Sequence, residues 1–314
     1  MKLCYLNPPY PDLSVEMESL RGTPVELVPC SVRGEDELIR STKDADAILT
    51  VQDPITARVA EALEHCKVVV RLGVGYDVVD VAACRNHGIL VCNVPDYGTE
   101  EVAVHALALC LAVHRRILAY DQNVRKGRWG YALPWRIHRL STLRAGVLGL
   151  GRIGNAFANG IKPFVREIVA FDPFLTPEQF HAKGIAQATL PELFESCDII
   201  SLHLPLSKEN RHFITDAAIA QMRRRPILIN VSRGGLIDAA ALVRALRSGH
   251  ISGAGIDVFE DEPNVPADYL ELDNVVLSPH VAWYSEEANL QLRRSAVEEI
   301  VRVLTGHAPK NLVP

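Results

Sequence analysis

The 314-residue sequence predicts an α/β protein of two doubly wound parallel sheets, and three observations carry that reading. Short apolar or β-branched runs alternate with amphipathic helical stretches, the pattern of parallel strands joined by crossover helices. The alternation occurs twice, once over the first hundred residues and again from about residue 143. Two longer helical segments bracket the second series. A chain of this length, at roughly 150 residues per domain, suggests two domains.

Strands are expected at 2–6, 47–51, 68–72 and 89–94, with helical stretches at 56–65 and 77–87 between them. One long helix is expected from Thr99 to about Val124, with Glu100 and Glu101 in its first turn, where the helix dipole favours anions. The second series places strands at 145–150, 168–172, 198–204, 227–231, 253–258 and 275–277. The last helix runs from an N-cap at Ser285 to about Thr305, with Glu286 and Glu287 behind the cap. If it packs on the first unit, that domain is discontinuous, 1–98 with 285–314, and 99–284 is an insertion within it. The segment 126–139 reads as a solvated connection, or as a functional loop of the kind long connections often provide. The basic run Arg223–Arg225 falls at an expected helix end before Pro226, where cations suit the dipole.

Apolar residues make up 48% and charged residues 23%, ordinary for a globular chain able to bury its own core. Lys and Arg number 33 against 38 Asp and Glu, a net charge of −5. That balance argues against nucleic acid as a partner, because such affinity rests on Lys and Arg contacts to phosphate. The seven scattered cysteines contain no C-x-x-C pair and read as reduced thiols rather than a metal site or disulfide framework. The first ten residues carry no apolar signal region. The longest apolar helical run, 102–113, is interrupted by His105 and too short for a bilayer. A cytoplasmic protein with no membrane partner is the expectation.

Gly149-Leu150-Gly151-Arg152-Ile153-Gly154 fits G-x-G-x-x-G between an apolar run and an amphipathic helix. The first glycine permits the tight turn, the second lets backbone approach a pyrophosphate, and the third lets helix and strand pack closely. The strand 168–172 ends in Asp172, 18 residues beyond Gly154, where a carboxylate accepts hydrogen bonds from ribose hydroxyls. Asp172 repels a 2′-phosphate and Pro173-Phe174 supplies no arginine to hold one, so NAD is favoured over NADP. Arg233, Glu262 and His280 follow, each near the end of an expected strand and so near the crevice where such sheets bind ligands. Hydride transfer to a 2-oxo acid needs a fixed cation for the oxo and carboxylate oxygens, which a guanidinium supplies. It needs a proton donor for the developing alkoxide, which His supplies, and a carboxylate beside that His favours its charged form.

These motifs resemble the D-isomer-specific 2-hydroxyacid dehydrogenases from about Val68 to the last residue. The resemblance implies a Rossmann NAD-binding domain, residues 99–284, inserted into a flavodoxin-like substrate domain. It implies Arg233 as the substrate-binding arginine, Glu262 as the partner of the histidine and His280 as acid/base. It implies that the loop 71–77, with Arg71, Val74 and Gly75, meets the substrate, its backbone amides on the carboxylate. For NAD it adds Thr99, His203, Leu204, Pro205, Ser207 and Asn210, then Val231, Ser232 and Arg233, and Asp257 near the nicotinamide amide, with His280 and Trp283 beside them. Arg71 could grip either a carboxylate or a phosphate.

His280-Val281-Ala282-Trp283-Tyr284-Ser285 is similar to the branch containing the C-terminal-binding proteins, NAD(H)-binding corepressors, and their bacterial dehydrogenase relatives. There the tryptophan accompanies an apolar or thioether substrate tail, and an indole beside a catalytic His would line such a pocket. The alternative for Trp283 is simply to anchor the last helix, as large aromatics usually serve packing first. The expected function is an NAD-dependent oxidoreductase interconverting a 2-oxo acid and its D-2-hydroxy acid in a cleft between the domains. An NAD(H)-responsive corepressor-like binding protein and a phosphoglycerate-type dehydrogenase are the alternatives. The resemblance also implies a homodimer with the helix after Thr99 at its interface.

Overall fold

The structure, a computed structural model, describes residues 1–132 and 136–314. Residues 133–135, within the expected connection 126–139, lie outside the described residues. The chain divides into two compact units, Met1–Gly98 with Ser285–Pro314, and Thr99–Tyr284.

The first unit holds five parallel strands: β1 (Lys2–Leu6), β2 (Glu26–Cys30), β3 (Ala47–Thr50), β4 (Val68–Arg71) and β5 (Leu90–Cys92). Their order is β2-β1-β3-β4-β5, the flavodoxin-like winding. The central strands are apolar throughout because helices cover both faces of a parallel sheet. Strand β2 has no counterpart among the expected strands. It carries Pro29, which lacks a ladder donor, and pairs only with β1, at the sheet edge where proline is tolerated. The last helix, Glu286–Leu304, belongs to this unit, and the Ser285 hydroxyl caps it by accepting the Ala288 N–H at 3.0 Å. From that helix the buried Arg293 donates to the fully buried Glu16 (2.7 and 2.5 Å) and to the Asp12 carbonyl (2.6 Å). Tyr10 lies under the guanidinium, 4.2 Å from ring centre to cation.

The second unit holds seven parallel strands: β6 (Arg144–Leu148), β7 (Glu167–Phe171), β8 (Ala186–Gln187), β9 (Ile199–Leu202), β10 (Ile227–Asn230), β11 (Gly253–Ile256) and β12 (Val275–Leu277). The order β12-β11-β10-β9-β6-β7-β8 is the Rossmann arrangement with one strand added beyond its sixth. Strand order reverses between β6 and β9, and ligands of such sheets bind beyond the strand ends at that point. The two-residue β8 is exposed and carries no apolar signal, so its absence from the expected strands has a simple cause.

The expected helix from Thr99 to Val124 is two helices, Thr99–Arg115 and Ile117–Arg125, bent by 59°. Arg116 makes the break with φ +56, and its buried guanidinium donates to the Ser252 carbonyl at 2.7 Å. A long-range side-chain bond thus ends a helix whose local pattern continues. The helix before Arg223–Arg225 likewise stops early, at Ala220, and the basic run occupies the following turn. There Arg224 bonds Asp198 at 3.0 Å, and Arg223 meets Glu195 at 3.4 Å. All seven cysteines are buried thiols. Among the described residues no single helix is long and apolar enough to cross a membrane.

Candidate active site

The glycine turn after β6 divides its three glycines between two tasks. Gly149 has φ +88, and a Cβ there would lie 2.5 Å from the His203 carbonyl oxygen. A Cβ on Gly154 would lie 2.0 Å from the Gly149 carbonyl oxygen. Both positions therefore serve close packing of turn, helix and sheet. Gly151 differs, because a Cβ there would meet nothing within 4 Å. It is the N-cap of the helix Arg152–Ile161 and supplies no side-chain cap. The N–H groups of Gly151 and Ile153 have no acceptor among the described residues. An uncapped helix end with open space before it fits the pyrophosphate of a dinucleotide.

Asp172, at the end of β7, accepts the Leu150 N–H on one oxygen (2.8 Å) and the Phe174 N–H on the other (3.0 Å). The carboxylate is thereby fixed beside the turn with lone pairs remaining for ribose hydroxyls, while Pro173 is exposed next to it. His203 follows β9, with its ring 5.1 Å from that of Phe157 and its Nε2 2.9 Å from the Ser201 hydroxyl. Its Nδ1 is buried with no partner among the described residues, and burial pushes the pKa down to about 3, so the ring is neutral. Leu204 packs toward Gly149. Several of the expected ligands also make hydrogen bonds that shape their own loops. Asn210 accepts the Ser207 N–H and donates to the Pro205 carbonyl, both at 2.7 Å, which shapes the loop between them. The Ser232 hydroxyl donates to the Leu202 carbonyl at 2.7 Å, and Val231 is buried. Thr99 begins its helix in the same unit.

The second cluster lies beyond β10, β11 and β12. Asn230 ends β10 and braces the next turn, accepting the Ser232 N–H (3.0 Å) and donating to the Arg233 carbonyl (2.9 Å). A Cβ on Gly234 would lie 2.0 Å from the Phe259 carbonyl carbon, so the loops after β10 and β11 touch at backbone distance. That contact brings Arg233 and Glu262 into one neighbourhood. The Arg233 guanidinium donates to the Ser232 carbonyl at 2.8 Å.

Glu262 accepts the Phe259 N–H at 2.9 Å on one oxygen, and its other oxygen stands 2.6 Å from His280 Nδ1. Burial alone would push the Glu262 pKa up. The hydrogen bond and charge of His280, the Phe259 N–H and the Arg233 guanidinium outweigh it and hold the carboxyl below its ordinary range. An ionised Glu262 therefore accepts Nδ1–H and leaves Nε2 of His280 for proton transfer.

The His280 backbone is left-handed, φ +54, which costs a non-glycine residue about 1–2 kcal/mol. Five hydrogen bonds hold the loop in that shape. His280 N–H donates to the Asp257 carbonyl (2.7 Å), and Val281 and Ala282 N–H donate to the two Asp257 carboxylate oxygens (3.0 Å each). The Trp283 indole N–H donates to the His280 carbonyl (3.1 Å), and the Ser278 hydroxyl donates to Asp257 (2.6 Å). Asp257, with its side chain 1% exposed, is the residue on which four of these five bonds converge. The bond from Trp283 is a function of the indole that its aromatic character does not reveal. Ser278, Asn230 and Gly234 were not singled out from the sequence. A polar residue closing an otherwise apolar strand, as Asn230 does, is the signal that could have found one of them.

In the first unit, the loop after β4 carries the other expected substrate residues. Arg71 donates to the Val51 carbonyl at 3.2 Å and folds over Gly73, whose φ is +144. Asn93 donates to the Val74 carbonyl at 2.6 Å, and the N–H groups of Val74 and Gly75 have no acceptor among the described residues.

Residues 107–282 match the model of the D-isomer-specific 2-hydroxyacid dehydrogenase NAD-binding domain. A glyoxylate reductase of Korarchaeum cryptofilum is 39% identical over 285 residues, covering 88% of this chain and 85% of that protein. Among solved structures, an acyclic imino acid reductase in complex with NADPH and D-Arg matches with TM-score 0.88 and 30% identity over the whole of both chains. The D-lactate dehydrogenase of Aquifex aeolicus, complexed with NAD and lactic acid, matches with TM-score 0.88 and 28% identity over 99% of this chain and 98% of that one. The chain belongs to the D-isomer-specific 2-hydroxyacid dehydrogenase family and carries its NAD-binding domain.

Proposed function

We propose that this chain reduces a 2-oxo acid to the D-2-hydroxy acid, and catalyses the reverse, with the unit Thr99–Tyr284 holding NAD and the other unit serving as substrate domain. The observation that carries the reading is the 2.6 Å contact between His280 and an ionised Glu262, with Arg233 near the same carboxylate. NADH, when bound, supplies the hydride to C2. His280 gives its Nε2 proton to the oxygen at C2, and Glu262 stabilises the protonated ring beforehand. Arg233 holds the substrate oxygens as a fixed cation, and the amides of Val74 and Gly75, which have no acceptor among the described residues, suit a carboxylate. Asp172 favours the ribose hydroxyls of NAD over a 2′-phosphate. Gly149, Gly151 and Gly154 form the pyrophosphate turn.

Trp283 lies two residues beyond Val281 on the same loop and supports an apolar or thioether substrate side chain. The helix Ile117–Arg125 has no buried residue and exposes Ile117, Leu118 and Val124. A helix of nine residues is not stable in water by itself, which supports a homodimer covering this face. A cytoplasmic location accords with the reduced thiols. The test is NADH oxidation against glyoxylate, pyruvate, hydroxypyruvate, phosphohydroxypyruvate, 4-methylthio-2-oxobutyrate and phenylpyruvate. Turnover is expected, strongest for the long apolar or thioether acids. Tight NADH binding with no turnover of any of them would overturn the reading.

A further inference from the structure

The bond that sets the His280 loop continues past Asp257 into the helix Thr99–Arg115. Ser278 has one hydroxyl proton, and it goes to the Asp257 carboxylate at 2.6 Å. Asp257 offers acceptors only, since both its oxygens already take backbone N–H groups of Val281 and Ala282. The Ser278 oxygen is therefore left to accept, and the atom facing it at 2.9 Å is Nε2 of His105. Proton accounting thus requires His105 to carry its hydrogen on Nε2. The same Nε2 stands 3.7 Å from the Asp257 carboxylate. His105 is the polar interruption of the apolar run 102–113, whose Val102, Ala106, Leu109 and Val113 enter the core. Its helix is thereby an anchored base for the bond.

We propose that His105 and Ser278 are positioning residues for His280, acting through Asp257 and touching neither substrate nor cofactor. A chain of bonds runs from the His105 N–H to Ser278, from Ser278 to Asp257, and from Asp257 to the amides on the C-terminal side of His280. The left-handed backbone of His280 aims its ring, and that backbone shape depends on Asp257 staying in place. Without the Ser278 hydroxyl, Asp257 loses its shortest donor. Without the His105 N–H, the Ser278 hydroxyl is held by its bond to Asp257 alone. The requirement is for an N–H at one position, and a side-chain amide can supply that as well as an imidazole. This inference rests on the reading of His280 as the proton donor.

The test measures kcat with the best 2-oxo acid, together with the NADH dissociation constant and the melting temperature, in the full-length chain. Ser278→Ala and His105→Leu are each expected to lower kcat about tenfold, the size of one hydrogen bond's contribution to holding His280 in place. NADH affinity should stay within about twofold. His105→Gln, which keeps an N–H near the Nε2 position, should recover kcat to within about threefold of wild type. In a His280→Ala background, Ser278→Ala should cause no further loss, because the two act as a unit. Wild-type kcat in Ser278→Ala would overturn the inference. So would a full additional loss in the His280→Ala background, or a His105→Gln enzyme as slow as His105→Leu. If His105→Leu does not fold, the Ser278→Ala pair of measurements decides alone. A His280→Ala enzyme with wild-type turnover would instead overturn the reading of the site itself.

Discussion

Alanine at two glycines of one turn should separate cofactor binding from folding. At Gly151 the backbone is extended, φ −68 and ψ −158, and a Cβ meets nothing within 4 Å. The apo protein should accept Gly151→Ala with a stability change within about 0.5 kcal/mol. The new methyl would stand where the pyrophosphate approaches the helix end. Losing one charge-assisted bond from those amides costs about 1.5–3 kcal/mol, a weakening of NADH binding by about 10- to 150-fold. At Gly154 the Cβ would fall 2.0 Å from the Gly149 carbonyl oxygen, which belongs to backbone and cannot swing away. Gly154→Ala should cost the apo protein about 1–3 kcal/mol through overpacking. Urea unfolding without cofactor and NADH fluorescence titration read the two effects separately. Wild-type NADH affinity in Gly151→Ala, or equal loss of apo stability in both variants, would refute the assignment of roles.

Three further outcomes follow from the same geometry. His203 resists protonation when folded, pKa about 3, but takes a proton near 6.5 when unfolded, so the unfolded chain binds more protons and stability falls as pH drops from 6.5 toward 3. Part of the residue reaches the surface, so the loss from this group between pH 8 and pH 5 is at most about 2 kcal/mol, and urea midpoints of His203→Gln should show correspondingly less pH dependence. Arg293→Ala strands the buried Glu16 and should cost about 3–5 kcal/mol in urea unfolding, whereas Arg293→Met with Glu16→Leu should recover most of it. Trp283→Phe keeps an aromatic ring but removes the N–H from the His280 carbonyl, and kcat should fall about fivefold as one bond of about 1 kcal/mol is lost.

The two sheets were legible because their strands are apolar on both faces and the glycine turn announces itself between strand and helix. Glu262 and His280 were legible because each stands in a recognisable motif in the loop that follows a strand. What escaped notice was decided by distant partners. Arg116 ends a helix through a carbonyl 136 residues away, and His105 meets Ser278 across 173 residues. No local pattern records such destinations. Asp257, Asn210 and Ser232 show the same limit: each makes hydrogen bonds that shape the loops around it, and no local pattern records those bonds. Strand β2 tolerates Pro29 because it lies at the sheet edge, where a missing ladder donor does not break a pairing.

The central claim is that His280 delivers the proton while its neighbours hold it in place. The most direct measurement is kcat of His280→Ala against wild type on the best 2-oxo acid, with NADH affinity determined in parallel. The account predicts turnover lower by about 10²-fold or more with NADH binding retained. Turnover near wild type would contradict it.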